Sequence, residues 1–175
     1  IAFRHGVQRI IKSKSMVSEE SALDHAIEGA GLKVVETDLG EYILQINGYE
    51  PPSHIIGPAL HKSKEEVSEL FARQHGTARK DDIAALCLEA RGVLREHYLG
   101  ADMGISGGNF FVAESGSVVL VTNEGNATLT TTLPKVHVAI SGIEKIVPTL
   151  EDVATLMRLL PRSATGQSIS NYVDI

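Results

Sequence analysis

Four short polar stretches hold the residue types that binding or acid–base chemistry needs. Lys12-Ser13-Lys14-Ser15 sets two lysines between an apolar run and a helix start, which suits a carboxylate or phosphate. A basic strand end in solvent fits the same residues. Gly104-Ile105-Ser106-Gly107-Gly108-Asn109 joins small residues, which let a ligand approach the backbone, to the Ser106 hydroxyl and the Asn109 amide. It follows a helix and precedes a strand, the reverse of a phosphate-binding P-loop, and has no Gly-Lys-Ser/Thr; a flexible connector is its other reading. Ala113-Glu114-Ser115-Gly116 offers Glu114 as nucleophile or general base, with Ser115 and Gly116 beside it. A solvated hairpin tip is the reading the residues alone favour, because such turns are usually exposed. Asn123-Glu124-Gly125-Asn126 suits positive backbone dihedrals, and Asn123, Glu124 and Asn126 are candidate cleft residues. Polar loops at strand ends are common ligand sites in α/β sheets.

Other chemistries find less support. The seven histidines include no His-x-x-x-His pair, and Pro58 separates His54 from His61, so no zinc site is expected. His137 alternates into a strand and reads as a packed or hydrogen-bonded residue rather than a ligand. The single cysteine, Cys87, excludes an intrachain disulfide and a cysteine-held cluster, and fits a reducing cytoplasm. It falls on an apolar helix stripe, which predicts a core position. There is no Gly-x-Ser-x-Gly elbow and no readable triad.

The elements that must position these residues are marked mostly by their ends. A helix is expected over 19–30, capped by Ser18 and closed by Gly31. A second starts at the capping box Ser63-Lys64-Glu65-Glu66 and ends at Gly76. A third spans 82–99 with a stripe of Ile83, Leu86, Cys87, Ala90, Leu94 and His97; Arg91 and Arg95 lie off it. A fourth is capped by Thr149 and stopped by Pro161. Strands are expected over 7–12, 33–38, 42–46, 54–56, 110–113, 118–122 and 136–140, with a hairpin turn at 114–117. Helix–strand alternation followed by a strand-rich middle predicts an α/β fold with a central mixed, mostly parallel sheet flanked by helices. One domain over 1–162 is expected, then a polar arm or linker over 163–175 with no helix or strand face.

The chain has 175 residues, 43% apolar and 22% charged, enough for one domain with a sizeable core. Its net charge of −6 opposes nucleic-acid binding, which rests on Lys and Arg at phosphates, and opposes an anionic membrane surface. No apolar run reaches the roughly 18 residues of a membrane span, and no signal peptide is evident. The start at Ile1, without Met, leads us to expect residues upstream.

The blocks Lys12-Ser13-Lys14-Ser15-Met16, Glu36-Thr37-Asp38-Leu39-Gly40-Glu41-Tyr42-Ile43, Pro51-Pro52-Ser53-His54, Gly107-Gly108-Asn109-Phe110, Ala113-Glu114-Ser115-Gly116-Ser117, Val121-Thr122-Asn123-Glu124-Gly125-Asn126 and Gly142-Ile143-Glu144-Lys145 resemble, in order, the LUD domain family. The longer signatures resemble lactate-utilization iron–sulfur proteins of the B type. The resemblance implies a fold similar to ribose-5-phosphate isomerase and CoA transferases. It implies a role in a cytoplasmic complex oxidising L-lactate to pyruvate, with sister subunits and a small carboxylate such as L-lactate as partners. It also implies [4Fe–4S] clusters in a C-terminal region beyond Ile175, and no cofactor within this chain. Lys12, Lys14, Ser106, Asn109, Ser115, Gly116, Asn123, Glu124 and Asn126 are the expected substrate-binding residues, and Glu114 the catalytic one. In class I CoA transferases a Glu beside Asn-Gly carries the acyl group; Glu114-Ser115-Gly116 is similar but lacks the Asn. An assembly module without pocket chemistry, or an independent CoA-transferase- or isomerase-like enzyme acting on a small acid, remain the alternatives.

Overall fold

The computed structural model describes residues 1–54 and 57–175. Along the chain run β1 (Arg9–Lys12), α1 (Met16–Glu20), α2 (Leu23–Gly29), β2 (Lys33–Glu36), α3 (Leu39–Ile46), α4 (Lys64–His75), α5 (Ile83–Gly100), β3 (Met103–Ser106), β4 (Phe110–Val112), β5 (Val118–Val121), α6 (Asn126–Thr132), β6 (Val136–Ala139), β7 (Ile146–Val147), α7 (Leu150–Thr165) and β8 (Val173–Asp174).

A four-stranded sheet in the order β2-β1-β3-β6 forms the centre, and all its pairings are parallel. A second sheet, β7-β4-β5-β8, mixes parallel and antiparallel pairs. The fold is therefore α/β and mostly parallel, as the helix–strand alternation predicts. Side chains alternate across a strand, so neighbours in β1 serve opposite layers. Ile11 packs with Tyr42, Phe71, Leu86 and Leu94 of α3, α4 and α5. Ile10 packs with Ile27, Leu32, Val34 and Met103 on the α2 side. A third core of Val112, Val119, Val147 and Val153 joins α7 to the second sheet.

Local chemistry fixes the long helices. Ser63 with Glu66, and Thr149 with Asp152, form capping boxes, and Asp82 accepts from the Ala85 N–H. Tyr42 hydroxyl lies 2.9 Å from His75 Nε2, and His75 Nδ1 lies 2.9 Å from Glu89 Oε1, which ties α3, α4 and α5 together. Gln45 of α3 accepts from the Glu36 N–H and donates to the Val34 carbonyl, covering the free edge of β2. At β3, a Cβ on Gly104 would overlap the Thr130 carbonyl oxygen, so α6 rests on the strand at backbone contact.

Several expectations need correction. The helix expected over 19–30 is two helices: Ser15 caps α1, Ser18 lies inside it, and Ala22 at φ 51° breaks the run. The expected strand over 42–46 is α3, because Asp38 accepts from the Gly40 and Glu41 N–H groups and starts a helix there. The turn at 123–126 leads into α6 rather than directly to a strand. Cys87 is exposed, because α5 packs through Leu86, Ala90, Leu94 and Tyr98, a face rotated off Ile83 and Cys87. Pro161 does not stop α7; one more turn follows to Thr165, and Gly166 closes it. The 163–175 tail carries that last turn and β8, which pairs with β5. The strand expected over 54–56 falls mainly on residues outside those described. No helix of the described residues is long and apolar enough to cross a membrane.

Candidate functional site

The four parallel strands end on one edge of the central sheet, at Lys12, Glu36, Ser106 and Ala139. β1 sits between β2 and β3, so the chain leaves it toward one neighbour and later returns on its other side. Such a reversal opens a crevice between the diverging loops, the usual ligand position in open α/β sheets. The loops after β1 and β3 touch there: a Cβ on Gly107 would sit 3.3 Å from the Ser15 Cβ and Oγ.

Charged groups gather just beyond this edge. Lys14 Nζ lies 3.7 Å from Glu41 Oε1. Asp38 caps α3, and Glu124 Oε2 accepts from the Leu39 N–H at 3.4 Å, so two carboxylates meet the start of one helix. Burial pushes the Glu41 carboxyl up, the Glu19 and Asp38 carboxylates push it further, and Lys14 only partly offsets them, leaving it at about 7. A carboxyl poised there can take or give a proton near neutral pH.

Hollows open from the edge on both sides of the sheet. On the α5–α6 side is one of about 700 Å³, walled by Leu39, Leu94, Leu129 and Leu133 and flanked by Arg91 and Arg95. Its polar residues include Thr37, Tyr98, Glu124 and Asn126. On the α1–α2 side is an acidic hollow of about 220 Å³, lined by Glu19, Asp24, Glu36 and Glu41. Lys12, wholly buried, is the countercharge at that wall: its Nζ lies 2.5 Å from Glu36, 3.9 Å from Asp24 and 3.2 Å from Ser18 Oγ. Burial disfavours its ammonium, but the carboxylates of Glu36, Asp24 and Glu19 outweigh that and hold its pKa above the ordinary lysine value.

The structure brings together some of the residues singled out in the sequence and separates others. Lys14 and Glu124 reach the edge. Ser106, fully buried, has its Oγ 2.8 Å from His137 Nε2 and bonds the Gly107 carbonyl. Asn109 accepts from the Val121 N–H and fastens β5; Asn126 accepts from the Thr122 hydroxyl at the base of α6. Lys12 points into the buried ion cluster instead of the crevice. Asn123 turns to a different hollow, beside Met157 and Leu160 of α7. Glu114, Ser115 and Gly116 are exposed at the far tip of the β4–β5 hairpin, and Glu114 accepts from the Leu150 N–H at the start of α7. These three do not share the crevice.

Sequence reasoning about sites passed over Glu41, Asp38, Glu19, Asp24 and Glu36. Asp38 followed three residues on by Glu41 was the available signal, an acidic cap just past a strand end.

Comparison with known proteins agrees with the block pattern. The LUD domain model matches residues 2–175. The chain belongs to the LUD domain family. Over 175 residues it is 51% identical to "Lactate utilization protein B" of Geobacillus kaustophilus (strain HTA426), covering all of this chain and 37% of that protein. It is 54% identical over 166 residues to the protein of the same name from Shouchella clausii (strain KSM-K16), covering 95% of this chain and 35% of that one. The relative in Lysinibacillus sphaericus (strain C3-41) is 52% identical over 173 residues, 99% of this chain and 36% of its own length. The LUD chain thus spans a little over a third of the curated relatives it matches. No solved structure matches it. The residues present do not fit an iron–sulfur cluster. The one thiol supplies a single ligand where a cluster takes four, and among the described residues no three His, Cys, Asp or Glu side chains group as metal ligands.

Proposed function

We propose that this LUD domain seats a small 2-hydroxy or 2-oxo acid, L-lactate or pyruvate, at the carboxyl edge of its parallel sheet. It would do so as part of a cytoplasmic complex that oxidises L-lactate to pyruvate. The observation that carries the reading is the Lys14–Glu41 pair at the crevice, with Glu41 held near neutrality. Lys14 would face the substrate carboxylate, and Glu41 would accept a proton from the hydroxyl end. The names of the relatives, which concern lactate utilization, support this substrate class. Redox chemistry, and the [4Fe–4S] clusters implied by the resemblance, would belong to the rest of a longer parent protein and its sister subunits.

Calorimetric titration with L-lactate and with pyruvate tests this. Saturable heat at millimolar ligand is expected, lost in Lys14→Ala. Glu41→Gln should keep pyruvate binding while removing its pH dependence around 7. No heat from the folded chain defeats the reading.

The exposed Leu99, Leu129 and Leu133 of α5 and α6 favour a second reading, docking of sister subunits on that side. Co-elution with those subunits that is lost in Leu129→Asp supports it. Full activity of a complex carrying Lys14→Ala and Glu41→Gln would leave assembly as the domain's one role.

A further inference from the structure

The acidic hollow holds more buried carboxyl groups than the Lys12 ammonium can serve. Burial and the neighbouring Asp24 push the Glu36 carboxyl well up although Lys12 opposes them, a cost that a second cation would relieve. Glu19 Oε1, Asp24 Oδ1 and Glu36 Oε2 are shielded from solvent and accept no hydrogen bond. Buried polar atoms in folded proteins are nearly always partnered, so three on one wall leave acceptor capacity that an N–H donor can fill. Glu36 is only 4% exposed and lines the hollow while its other oxygen is taken by Lys12. Lys12 is a single ammonium against Glu36, Asp24 and Glu19, with Glu41 on the same lining.

The rest of the lining narrows the occupant. The His25 and Tyr49 rings, 5.0 Å apart, and Pro51 and Pro52 add an aromatic and apolar rim that accepts the body of an organic cation. Among the described residues no three acidic, His or Cys side chains group as metal ligands. Three separate carboxyls each offer an acceptor, which suits several N–H donors on one group. At about 30 Å³ for a water, the 220 Å³ hollow takes a group of a few heavy atoms.

We propose that this hollow binds a compact organic cation with N–H donors, a primary ammonium or a guanidinium, on Glu36, Asp24 and Glu19. Each contact is a charge-assisted hydrogen bond to an oxygen that otherwise has none. The cation comes either from a free amine or from a Lys or Arg side chain of a partner. The site lies on the face of the sheet opposite the large hollow and takes charge of the opposite sign to a carboxylate substrate. It borders the proposed lactate site at Glu41, so its test is read at Asp24 and Glu36, which that site does not use.

The 175-residue chain is titrated with methylammonium and guanidinium chloride, by calorimetry and by carbon NMR of the side-chain carboxyls. Tetramethylammonium and potassium chloride match the charge without N–H donors. Saturable binding is expected for the first two salts only, with the Asp24 and Glu36 carboxyl signals moving on saturation. Glu19→Gln, which leaves the Lys12 ion pair in place, should weaken binding about tenfold, the loss of one charge-assisted bond. Glu36→Gln should abolish it, and Glu19→Gln keeps the test open if that variant does not fold. Tighter binding of a lysine- or arginine-containing tripeptide than of methylammonium assigns the cation to a partner chain; the reverse assigns it to a free amine. Equal heats with tetramethylammonium, or carboxyl signals that stay fixed under methylammonium, overturn the proposal. The orphan oxygens would then be served by water or by a proton shared between Asp24 and Glu36.

Discussion

The two hollows open from the same strand ends, yet one is small and acidic and the other large, apolar and flanked by arginines. The difference traces to strand parity. In β1 and β2, Lys12 and Glu36 pair in register and point to the α1–α2 side, while Ile11 and Val35 point to α3, α4 and α5. Glu36 lines the acidic hollow and Thr37, the next residue, lines the apolar one. A slip of one residue would exchange the two environments. One polar sequence block thus supplies two sites of opposite character, and only the pleat decides which side chain belongs to which.

The largest test of this contrast is Lys12→Met. It leaves the Glu36 and Asp24 carboxylates without their buried countercharge, and removing one partner of a buried ion pair costs about 3–5 kcal/mol. Urea unfolding should register a loss of that order; a loss under about 1 kcal/mol would mean that the carboxylates are relieved by protons. Next comes pH. Glu41 is raised in the folded chain to about 7, from the ordinary carboxylate value near 4.5. The folded state therefore binds more protons than the unfolded state between those values. Stability should fall as pH rises from about 4.5 to 7 and level off above, with Glu41→Gln flattening that part of the slope. A stability that rises across this window in the parent and not in the variant would reverse the assignment. The smallest effect is expected from Arg91→Ala beside the apolar hollow, an exposed position where stability should move by no more than about 0.5 kcal/mol. A larger loss by thermal melting would show that the arginines are tied into the fold.

Features set by a few neighbouring residues were legible in the sequence. Ser63 with Glu66 and Thr149 with Asp152 each announced a helix start, because a cap is a contact between residues three apart. Features set by tertiary packing were not. Tyr42-Ile43-Leu44 reads as a strand by composition, yet three successive residues are buried because α3 is covered on several sides. Thr-rich α6 has little intrinsic helix preference, and its contact with β3 stabilises it. The site was half legible. Lys14 and Glu124 stood out as polar residues at turns, but whether Lys12 faced the crevice or the core depended on parity, and Glu114 was separated from the crevice by the length of a hairpin.

Gly104 adds a mechanical consequence. With no side chain between them, β3 and α6 behave as a bearing without a cushion. The turn before that helix carries Glu124, which accepts from the Leu39 N–H, so the same close contact fixes the spacing between β3 and the loop that reaches the head of α3. Position 104 thus admits no side chain: a single methyl there would sit 1.9 Å from the Thr130 carbonyl oxygen, and strand and helix would have to part.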